Sequence, residues 1–267
     1  AAIGLALVFG AAGAAGTIVA ANRVIDTVPR VADVDDVLTT DAGEVENFLL
    51  VGSDSRANSD PNSPDFGGIG TEADVSGTRS DTIMVLRRDR DSGDVALLSI
   101  PRDLWVDIAG ERGENRINSA FNEGPATLVA TVQQSLGLPI HHYVEVDFSG
   151  FKSLIDAIGG VELCFLYPAR DVNTGLSIPE PGCHELDGVQ ALAYARSRYY
   201  EEFRDSDWRV DGTADIGRTR RQREFVNVAL QAALDEIQAN PFVAGDVLSS
   251  AGSAVRLDTD LDILAAA

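Results

Sequence analysis

The sequence predicts an α/β fold from three of its segments, two that read as strands and one that reads as a strand, a helix and a strand. The first is an apolar run from Asn47 to Gly52, which is typical of a buried strand. The second is a hairpin between Thr78 and Asp103, in which two runs of aliphatic and β-branched residues flank a turn. The third is a strand, a helix and another strand between His141 and Phe165, an order that predicts a crossover unit in an α/β sheet.

The N-terminal segment, Ala1 to Ala21, carries no charged residue and is almost wholly aliphatic residues and glycine. Because about 20 helical residues cross the ~30 Å hydrocarbon core of a bilayer, this segment predicts a single-pass membrane anchor. A secretory signal is the alternative, although its apolar core is usually shorter. In both cases we expect the rest of the chain to lie outside the cytoplasm. Residues 22–46 are predicted to form an acidic juxtamembrane linker, and residues 47–267 to form the folded domain.

The charge of the chain limits its partners. With 21 basic and 42 acidic residues, the net charge is -21, which argues against the electrostatic footprint of a nucleic-acid-binding protein. Lys152 is the only lysine, so there is no phosphate-loop lysine, whereas the planar forks of the arginines suit phosphate groups. Codon bias of a GC-rich genome is the alternative explanation for the excess of arginine.

Cys164 and Cys183 are the only cysteines. In an exported domain a disulfide between them is the simplest expectation, and two buried thiols are the alternative. A zinc site is not expected, because the three histidines lack a metal-ligand spacing with the cysteines. We predict instead that His141 and His142 lie in a solvated loop before a strand.

The first strand and the hairpin carry candidate site residues. Asp54 follows the carboxyl end of the buried strand, which is where open α/β sheets place their ligand sites. Arg79 and Asp81 lie two residues apart in an extended segment, so we expect them to share one face. For this pair alone, a surface ion pair is the alternative. Residues 57–77, between Asp54 and the hairpin, form a long polar loop that is either functional or disordered.

Helical periodicity and capping residues predict four helices. In chain order these are Pro125 to Leu136 with a stop at Gly137, Phe148 to Ile158 capped by Asp147 or Ser149, Val189 to Tyr194, and a long helix from Asp215 to Asn240. Between the last two helices, the acidic segment from Tyr200 to Gly212 predicts a solvent-exposed loop.

The start of the long helix carries a basic cluster. Arg218, Arg221 and Gln222 occur at i, i+3 and i+4, so they share a face near the helix N-terminus. Cations at this end oppose the helix dipole, and a bound anion would reverse that penalty. The alternative is a set of ion pairs with the acidic segment that precedes the helix.

Six arginines in four clusters, with aspartates in the same motifs, predict a magnesium and polyphosphate site. Hard carboxylate oxygens hold Mg²⁺, and guanidinium groups neutralise the remaining phosphate charge. The arginines are Arg79, Arg102, Arg196, Arg198, Arg218 and Arg221, and the aspartates are Asp54, Asp81 and Asp103.

Seven segments in order resemble the motifs of the LytR-CpsA-Psr (LCP) family, and together they cover roughly residues 47–240. They are FLLVGSDSR from Phe48, TRSDTIMVL from Thr78, LLSIPRDLWV from Leu97, RINSAF from Arg116, IDAIGGVEL from Ile155, LDGVQALAYARSR from Leu186 and DIGRTRRQREF from Asp215. Each motif is modest alone, but seven in register form a specific signal.

This resemblance implies a three-layer α/β/α sandwich around a central mixed sheet, anchored by one N-terminal transmembrane helix at the cell membrane. It also implies that the C-terminal part of the domain is incomplete in this chain. The implied cleft for a polyprenyl tail would draw on the apolar face of the helix from Phe225 to Ile237 and on the strand from Val161 to Phe165, although core packing explains both segments equally well.

The implied activity is a phosphotransferase that moves a glycan from a polyprenyl-pyrophosphate carrier to peptidoglycan through a phosphodiester, with Mg²⁺ as cofactor. The residues that match pyrophosphate-binding positions are Arg79, Arg102, Arg196, Arg198, Arg218 and Gln222, with Arg221 added from the same motif. Asp54 and Asp81 match the carboxylates associated with Mg²⁺, and one of them is expected to assist deprotonation of the acceptor. Arg79 completes the expected catalytic set.

Three other functions compete with the transferase. Water as acceptor would make the chain a polyprenyl-pyrophosphate phosphatase, and a membrane-anchored module that binds lipid carrier or wall polymer would turn nothing over. DNA-binding regulation is disfavoured by the charge and by the lack of a helix-turn-helix pattern. The transferred polymer is left open among arabinogalactan, teichoic acid and capsule.

Overall fold

A computed structural model describes residues 28–41, 43–54, 80–110, 113–239 and 255–261. The predicted anchor, residues 1–21, and the long polar loop, residues 57–77, lie outside these ranges. Within them, none of the helices has both the length and the apolar character that a membrane span requires.

The described residues form thirteen strands, five α-helices and one 3₁₀ helix. The strands are β1 Val45–Ser53, β2 Ser80–Asp89, β3 Val95–Ile100, β4 Trp105–Asp107, β5 Glu114–Arg116, β6 His142–Val146, β7 Val161–Phe165, β8 Ala169–Asp171, β9 Leu176–Ile178, β10 Gly182–Leu186, β11 Glu201–Arg204, β12 Asp207–Val210 and β13 Val255–Leu257. The helices are α1 Ser119–Asn122, α2 Pro125–Leu136, α3 Phe148–Ala157, α4 Gly188–Arg196 and α5 Ala214–Ala239, with a 3₁₀ helix at Ala32–Val37.

The central sheet has the order β13-β6-β1-β2-β3. Strand β1 is parallel to β6 and antiparallel to β2, so the sheet is mixed, as the resemblance implied. Alternate residues of β1 face opposite sides of the sheet. Phe48 and Leu50 enter one core with α3, α4 and α5, whereas Leu49 and Val51 enter a second core with α1, α2 and the 3₁₀ helix. Two helical layers therefore enclose the sheet.

Several local predictions are confirmed because short-range chemistry determines them. Strands β2 and β3 form the predicted antiparallel hairpin. Helix α2 spans the predicted residues and ends at Gly137, whose φ of 64° is the left-handed conformation that glycine tolerates best. The Asp147 side chain caps α3 by accepting a hydrogen bond from the backbone N–H of Gly150 at 2.7 Å.

The predicted crossover unit is wrong in its second strand. Strand β7 does not join the central sheet but pairs antiparallel with β10. Its residues alternate between buried and exposed, the pattern of a strand covered on one face, whereas parallel strands within a sheet are buried on both. Cys164 and Cys183 lie directly opposite each other in this ribbon and form the predicted disulfide.

The acidic segment predicted as a loop is a hairpin of β11 and β12. Asp205 and Ser206 at its tip both have positive φ, 51° and 66°, the geometry of a tight hairpin turn. Phe203 pairs with Trp208 across the hairpin, and their ring centroids are 5.4 Å apart. The many charged residues of this segment gave no strand pattern in the sequence. Its two strands belong to a four-stranded sheet with β8 and β9.

The folded unit also begins before Asn47, the residue at which the sequence placed its start. Val28, Val31 and Val34, within the predicted linker, are buried in the two cores. Arg30 donates two hydrogen bonds from Nη1, to the carbonyl oxygens of Asp258 at 2.8 Å and Leu261 at 3.1 Å. Residues predicted as a polar arm therefore fasten the start of the described chain to its end.

The expectation of solvated histidines is wrong for both residues. His141 is buried, and its Nδ1 accepts a hydrogen bond from the backbone N–H of Asn47 at 2.9 Å. Burial lowers the pKa of His141 below its ordinary value, because it disfavours the charged form. The His142 ring stacks on Phe48 and lies 3.3 Å from the carboxylate of Asp258. Both histidines are structural.

Helices α3 and α4 pack closely at Gly188. A Cβ atom at this position would lie 2.4 Å from the carbonyl oxygen of Lys152. The Asp156 carboxylate also accepts a hydrogen bond from the Gly188 N–H at 2.7 Å. The absence of a side chain at residue 188 therefore sets the distance between two helices that line the site.

Candidate active site

One edge of the central sheet collects the polar residues predicted for the site. Strands β1, β3 and β6 run in the same direction and end at this edge, and the antiparallel strand β2 begins there. Asp54, Arg102 and Asp147 follow the ends of the three strands, and Asp81 lies at the start of β2. Separate motifs of the sequence thus meet at one place.

A narrow cleft, with a volume of about 50 Å³, or about 550 Å³ when the space open to solvent is included, lies between the end of the sheet and helices α3, α4 and α5. Its polar lining includes side chains from every wall: Ser53, Thr82, Asp147, Arg196, Arg218 and Gln222. Its apolar lining consists of Met84, Val146, Phe148, Phe151, Leu192, Ala195, Phe225 and Val226. The cleft therefore joins an apolar interior to a cationic side.

Gln222 and two arginines form the cationic side of the cleft. The Gln222 Nε2 donates to Thr82 Oγ1 and to the carbonyl oxygen of Ala195, both at 3.0 Å, which ties α5 to β2 and α4. The guanidinium of Arg196 lies 4.5 Å from the centre of the Phe148 ring, a cation–π contact. Arg218 is only 3% exposed. A guanidinium buried to this extent in a largely apolar cleft favours an anionic ligand.

Asp171 is a site-supporting residue that sequence reasoning missed. Its carboxylate is fully buried and accepts hydrogen bonds from Ser197 Oγ at 2.7 Å and from the backbone N–H groups of Arg198 and Tyr199 at 3.1 and 2.9 Å. Burial alone would raise the pKa of Asp171, but these bonds and one from the N–H of Asn173 lower it below its ordinary value. The ionised carboxylate thus fixes the segment that follows Arg196.

Arg221 faces away from the cleft, on another side of α5. Its Nη1 donates to Asp211 Oδ2 at 2.8 Å, and its Nη2 donates to the carbonyl oxygen of Ser197 at 2.7 Å. The guanidinium also lies 4.6 Å from the centre of the Tyr200 ring. Burial raises the pKa of Asp211, but hydrogen bonds from Thr213 and Arg221 outweigh it and lower the value. This arginine braces the backbone beside the cleft rather than lining it.

The other predicted binding residues lie around the cleft or outside the described chain. Arg102 is at the same sheet edge, where its Nε is 3.4 Å from the carboxylate of Asp103, but it is not among the residues that line the cleft. Arg198 is held by its backbone on Asp171 and is also absent from the lining. Arg79 and the side chain of Asp81 lie outside the described residues.

The predicted metal ligands occupy neighbouring strands. Ser53 of β1 pairs with Ser80 of the antiparallel β2, so Asp54 and Asp81 lie on opposite sides of this pair, Asp81 at the irregularity in the register between Gly52 and Ser53. Asp54 is 9% exposed. The Ser80 hydroxyl is buried and has no hydrogen-bond partner among the described residues. The described part of the chain holds no group of three metal-ligating side chains. Among the described residues, the Asp54 carboxylate and the unbonded Ser80 hydroxyl are oxygen groups of the kind that a hard cation takes as ligands.

One of the two segments expected to form a lipid cleft lies at the cleft that the structure shows. Phe225 and Val226 of α5 line the cleft, whereas no residue of β7 does. Sequence reasoning also missed Thr82 and Asp147, which line the polar side. Asp147 was predicted only as a helix cap, and its position directly after a buried strand was the signal for a second role.

The family model described as LytR_cpsA_psr matches residues 17–267 of the chain. The chain belongs to the LytR-CpsA-Psr family. It is 40% identical over 207 residues to a probable cell wall biosynthesis protein, LcpB, of Corynebacterium glutamicum, a match that covers 77% of this chain and 46% of that protein. It is 34% identical over 206 residues to a polyisoprenyl-teichoic acid–peptidoglycan teichoic acid transferase, TagU, of Halalkalibacterium halodurans, covering 76% of this chain and 62% of that protein. The chain thus spans about half of the length of these two relatives.

Solved structures of the LytR-CpsA-Psr family share the fold. The LytR-Csp2A-Psr enzyme from Actinomyces oris superposes with a TM-score of 0.66 at 26% identity, covering 88% of this chain and 78% of that one. TagV of B. subtilis gives a TM-score of 0.59 at 26% identity, with 84% and 78% coverage. The mixed α/β architecture is therefore that of the family.

Proposed function

We propose that this chain is a cell-envelope phosphotransferase that moves a glycan phosphate from a polyprenyl-pyrophosphate carrier to peptidoglycan. The observation that carries the proposal is the cleft in which Arg196, Arg218 and Gln222 border an apolar interior. A lipid pyrophosphate combines an apolar chain with a dense negative charge, so it needs both parts of such a cleft. The relative named as a teichoic acid transferase supports the same activity.

Binding of the carrier divides between the two sides of the cleft. The isoprenoid chain would contact the aromatic and aliphatic side chains, of which Phe148, Phe151 and Phe225 are the largest. The pyrophosphate would accept hydrogen bonds from Arg196 and Arg218, with Arg79, Arg102 and Arg198 completing the set. Guanidinium forks suit this role because they match phosphate oxygens in pairs.

Mg²⁺ would be held by Asp54 and Asp81, the two aspartates that flank the Ser53–Ser80 pair of β1 and β2. A divalent ion at this edge would neutralise charge on the pyrophosphate oxygens. One of these two aspartates would also serve as the base that deprotonates the acceptor.

The reaction exchanges one phosphorus–oxygen bond for another. A hydroxyl of peptidoglycan attacks the phosphorus on the glycan side of the carrier, and its proton passes to Asp81 or Asp54. The bond to the bridging oxygen breaks, polyprenyl phosphate leaves with that electron pair, and a phosphodiester remains on peptidoglycan. Arg196 and Arg218 stabilise the charge that develops on the transferred and leaving groups. No nucleotide is needed, because the carrier already contains the anhydride.

The reaction requires the domain to lie on the outer side of the cell membrane. Residues 1–21 would supply a single-pass anchor that keeps the cleft close to its lipid carrier. The transferred polymer is assigned only as a cell-wall glycopolymer, a class that includes arabinogalactan, teichoic acid and capsule.

Transfer of a labelled glycan tests the proposal directly. The purified chain is incubated with Mg²⁺, radiolabelled glycan on polyprenyl pyrophosphate and a peptidoglycan fragment. We expect label on peptidoglycan, with rates that fall about 100-fold or more in Arg218→Ala and Asp81→Ala. Arg223→Ala is the matched control, because Arg223 is an exposed arginine of the same helix and lines no part of the cleft.

Two other outcomes would each replace the proposal. Release of label to water alone, in the presence of acceptor, would make the chain a pyrophosphatase. Tight binding of the carrier without turnover would make it a carrier-binding module.

A further inference from the structure

A second cavity lies on the other side of α5 and is not used by the proposed donor site. It encloses about 1420 Å³, including the part open to solvent, between α5, the ribbon of β7 and β10, and the hairpin of β11 and β12. Charged residues of both signs line it: Glu202, Arg204, Arg209, Asp211, Arg220 and Glu224. Phe165, Tyr194 and Tyr200 supply apolar wall.

One turn of α5 separates this cavity from the donor cleft. Arg218 and Gln222 line the cleft, whereas Arg220 and Arg221, from the same turn, line the second cavity. Through its hydrogen bond to the Ser197 carbonyl oxygen, Arg221 reaches the residue that directly follows Arg196. Because a helix with its side chains is about 10 Å across, ligands in the two cavities would be near neighbours.

Most of the charges in the second cavity already pair with each other or with nearby residues. Arg204 pairs with Glu202, Arg209 with Asp205, and Arg221 with Asp211. Arg220 and Glu224 differ: both are exposed, and neither forms an ion pair among the described residues. They lie four residues apart on α5, so they project one turn apart from the same face.

A buried donor adds to this arrangement. Arg221 is 7% exposed, and its Nε has no hydrogen-bond partner among the described residues. A buried guanidinium N–H without a partner is costly, and a ligand oxygen at the cavity wall would satisfy it.

We infer that this second cavity binds the peptide part of the peptidoglycan acceptor. The inference rests on the proposed function, since it identifies the second substrate's site for the same reaction. A stem peptide carries both carboxylates and amino groups, which complement Arg220 and Glu224 respectively, whereas a neutral glycan complements neither. Peptide held there would place the attached sugar, with its hydroxyl, on the side of the helix turn that faces the pyrophosphate.

Binding of acceptor without donor tests the inference independently of turnover. A soluble disaccharide-peptide fragment of peptidoglycan is titrated into the full chain by calorimetry. We expect Arg220→Glu to raise the dissociation constant at least tenfold, and Glu224→Lys to do the same. Arg223→Glu is the control, because it makes the same change of charge on the same helix outside both cavities.

Kinetics then separate the second cavity from the donor cleft. In Arg220→Glu we expect the KM for the peptide-bearing acceptor to rise at least tenfold, while the KM for the lipid donor stays unchanged. Equal binding by Arg220→Glu and Arg223→Glu, or equal binding of a disaccharide that lacks the peptide, would overturn the inference. If the chain transfers no glycan but still binds the fragment through Arg220, the inference about the second cavity would stand and the proposed transferase activity would be overturned.

Discussion

Asp171 determines the position of Arg196 and Arg198 without touching the cleft itself. Its carboxylate accepts hydrogen bonds from the hydroxyl of Ser197 and from two consecutive backbone N–H groups just beyond the end of α4, so it fixes the chain where the helix ends. Nothing in the local sequence marks it, because the bonds join residues 26 to 28 positions apart. It is a positioning residue rather than a catalytic one.

Replacement of Asp171 by asparagine should have a larger effect on the transfer rate than on the free energy of unfolding. The amide presents N–H groups to donors that need an acceptor, which costs about 1–3 kcal/mol for the unsatisfied groups. We expect the transfer rate to fall with little change in donor KM, while circular dichroism shows a folded chain. Asp91→Asn, in an exposed turn, is the control, and an unchanged rate in Asp171→Asn would contradict the positioning role.

The stability of the chain should depend on pH through the same carboxylate. The pKa values of Asp171 and Asp211 are held below the ordinary value of 3.8, so their contribution is complete above that pH and is lost as pH falls through the lower folded values. We expect the free energy of unfolding, measured with urea, to fall below about pH 4. In Asp171→Asn the slope should be smaller, and equal slopes would exclude this origin.

At the scale of elements, two devices hold the walls of the cavities. The disulfide joins β7 and β10 at directly opposite residues, and Cys164 also lines the second cavity. Gly188 lets α4 approach α3. Each device is a pairing between segments, and each can be tested by a conservative change.

Removal of the disulfide should destabilise the ribbon of β7 and β10 without changing which residues of the two strands pair. Closing a loop between cysteines 19 residues apart contributes about 3 kcal/mol in the chain-entropy model. We expect the Cys164→Ser/Cys183→Ser variant to lose about this much in denaturant unfolding. A reducing agent should lower wild-type stability to the level of the variant and leave the variant unaffected.

Gly188→Ala tests the contact between α3 and α4. The new Cβ would lie 2.4 Å from a backbone carbonyl oxygen, which cannot move as a side chain does. Overpacking of this kind costs about 1–3 kcal/mol. Gly212→Ala is the control, because nothing lies within 4 Å of its Cβ position and its φ is not positive. Equal melting temperatures for the two variants would show that the helices separate at no cost.

At the scale of the whole molecule, the central sheet gathers the site at one edge and leaves a core on each face. Helix α5 contributes both to the larger core and to the cavities. Its residues Phe225 and Ala229 are buried in that core, and the helical turn before them separates the two cavities. Ligand binding in the cleft should therefore stabilise the fold as a unit.

Carrier binding should raise the melting temperature of the chain. A ligand that binds only the native state stabilises it by about 2.7 kcal/mol at a concentration of 100 times its Kd. We expect polyprenyl pyrophosphate to raise the melting temperature of the wild type and of Arg223→Ala, but much less that of Arg218→Ala. A polyprenol without phosphate that gives the same shift would argue against recognition of pyrophosphate.

The sequence predicted those parts of the fold that short-range chemistry determines. These include β1, the β2–β3 hairpin, the caps of α2 and α3, and the disulfide. It also placed Arg196, Arg218 and Gln222 in one site, because their motifs match a family. It did not predict the partner of β7, the β11–β12 hairpin or Asp171, since each depends on contacts between distant segments. Arg221 shows the same limit: it follows Arg218 by three residues on α5, but it lines the second cavity instead of the cleft.

The clasp between Arg30 and the carbonyl oxygens of Asp258 and Leu261 gives the described chain the topology of a nearly closed ring. The first and last segments that the structure describes meet beside β6, where Arg30 also forms a β-bridge with Leu257. A tensile load applied at both segments would therefore meet this clasp first, and would reach the sheet edge that carries Asp54 only after the clasp had opened.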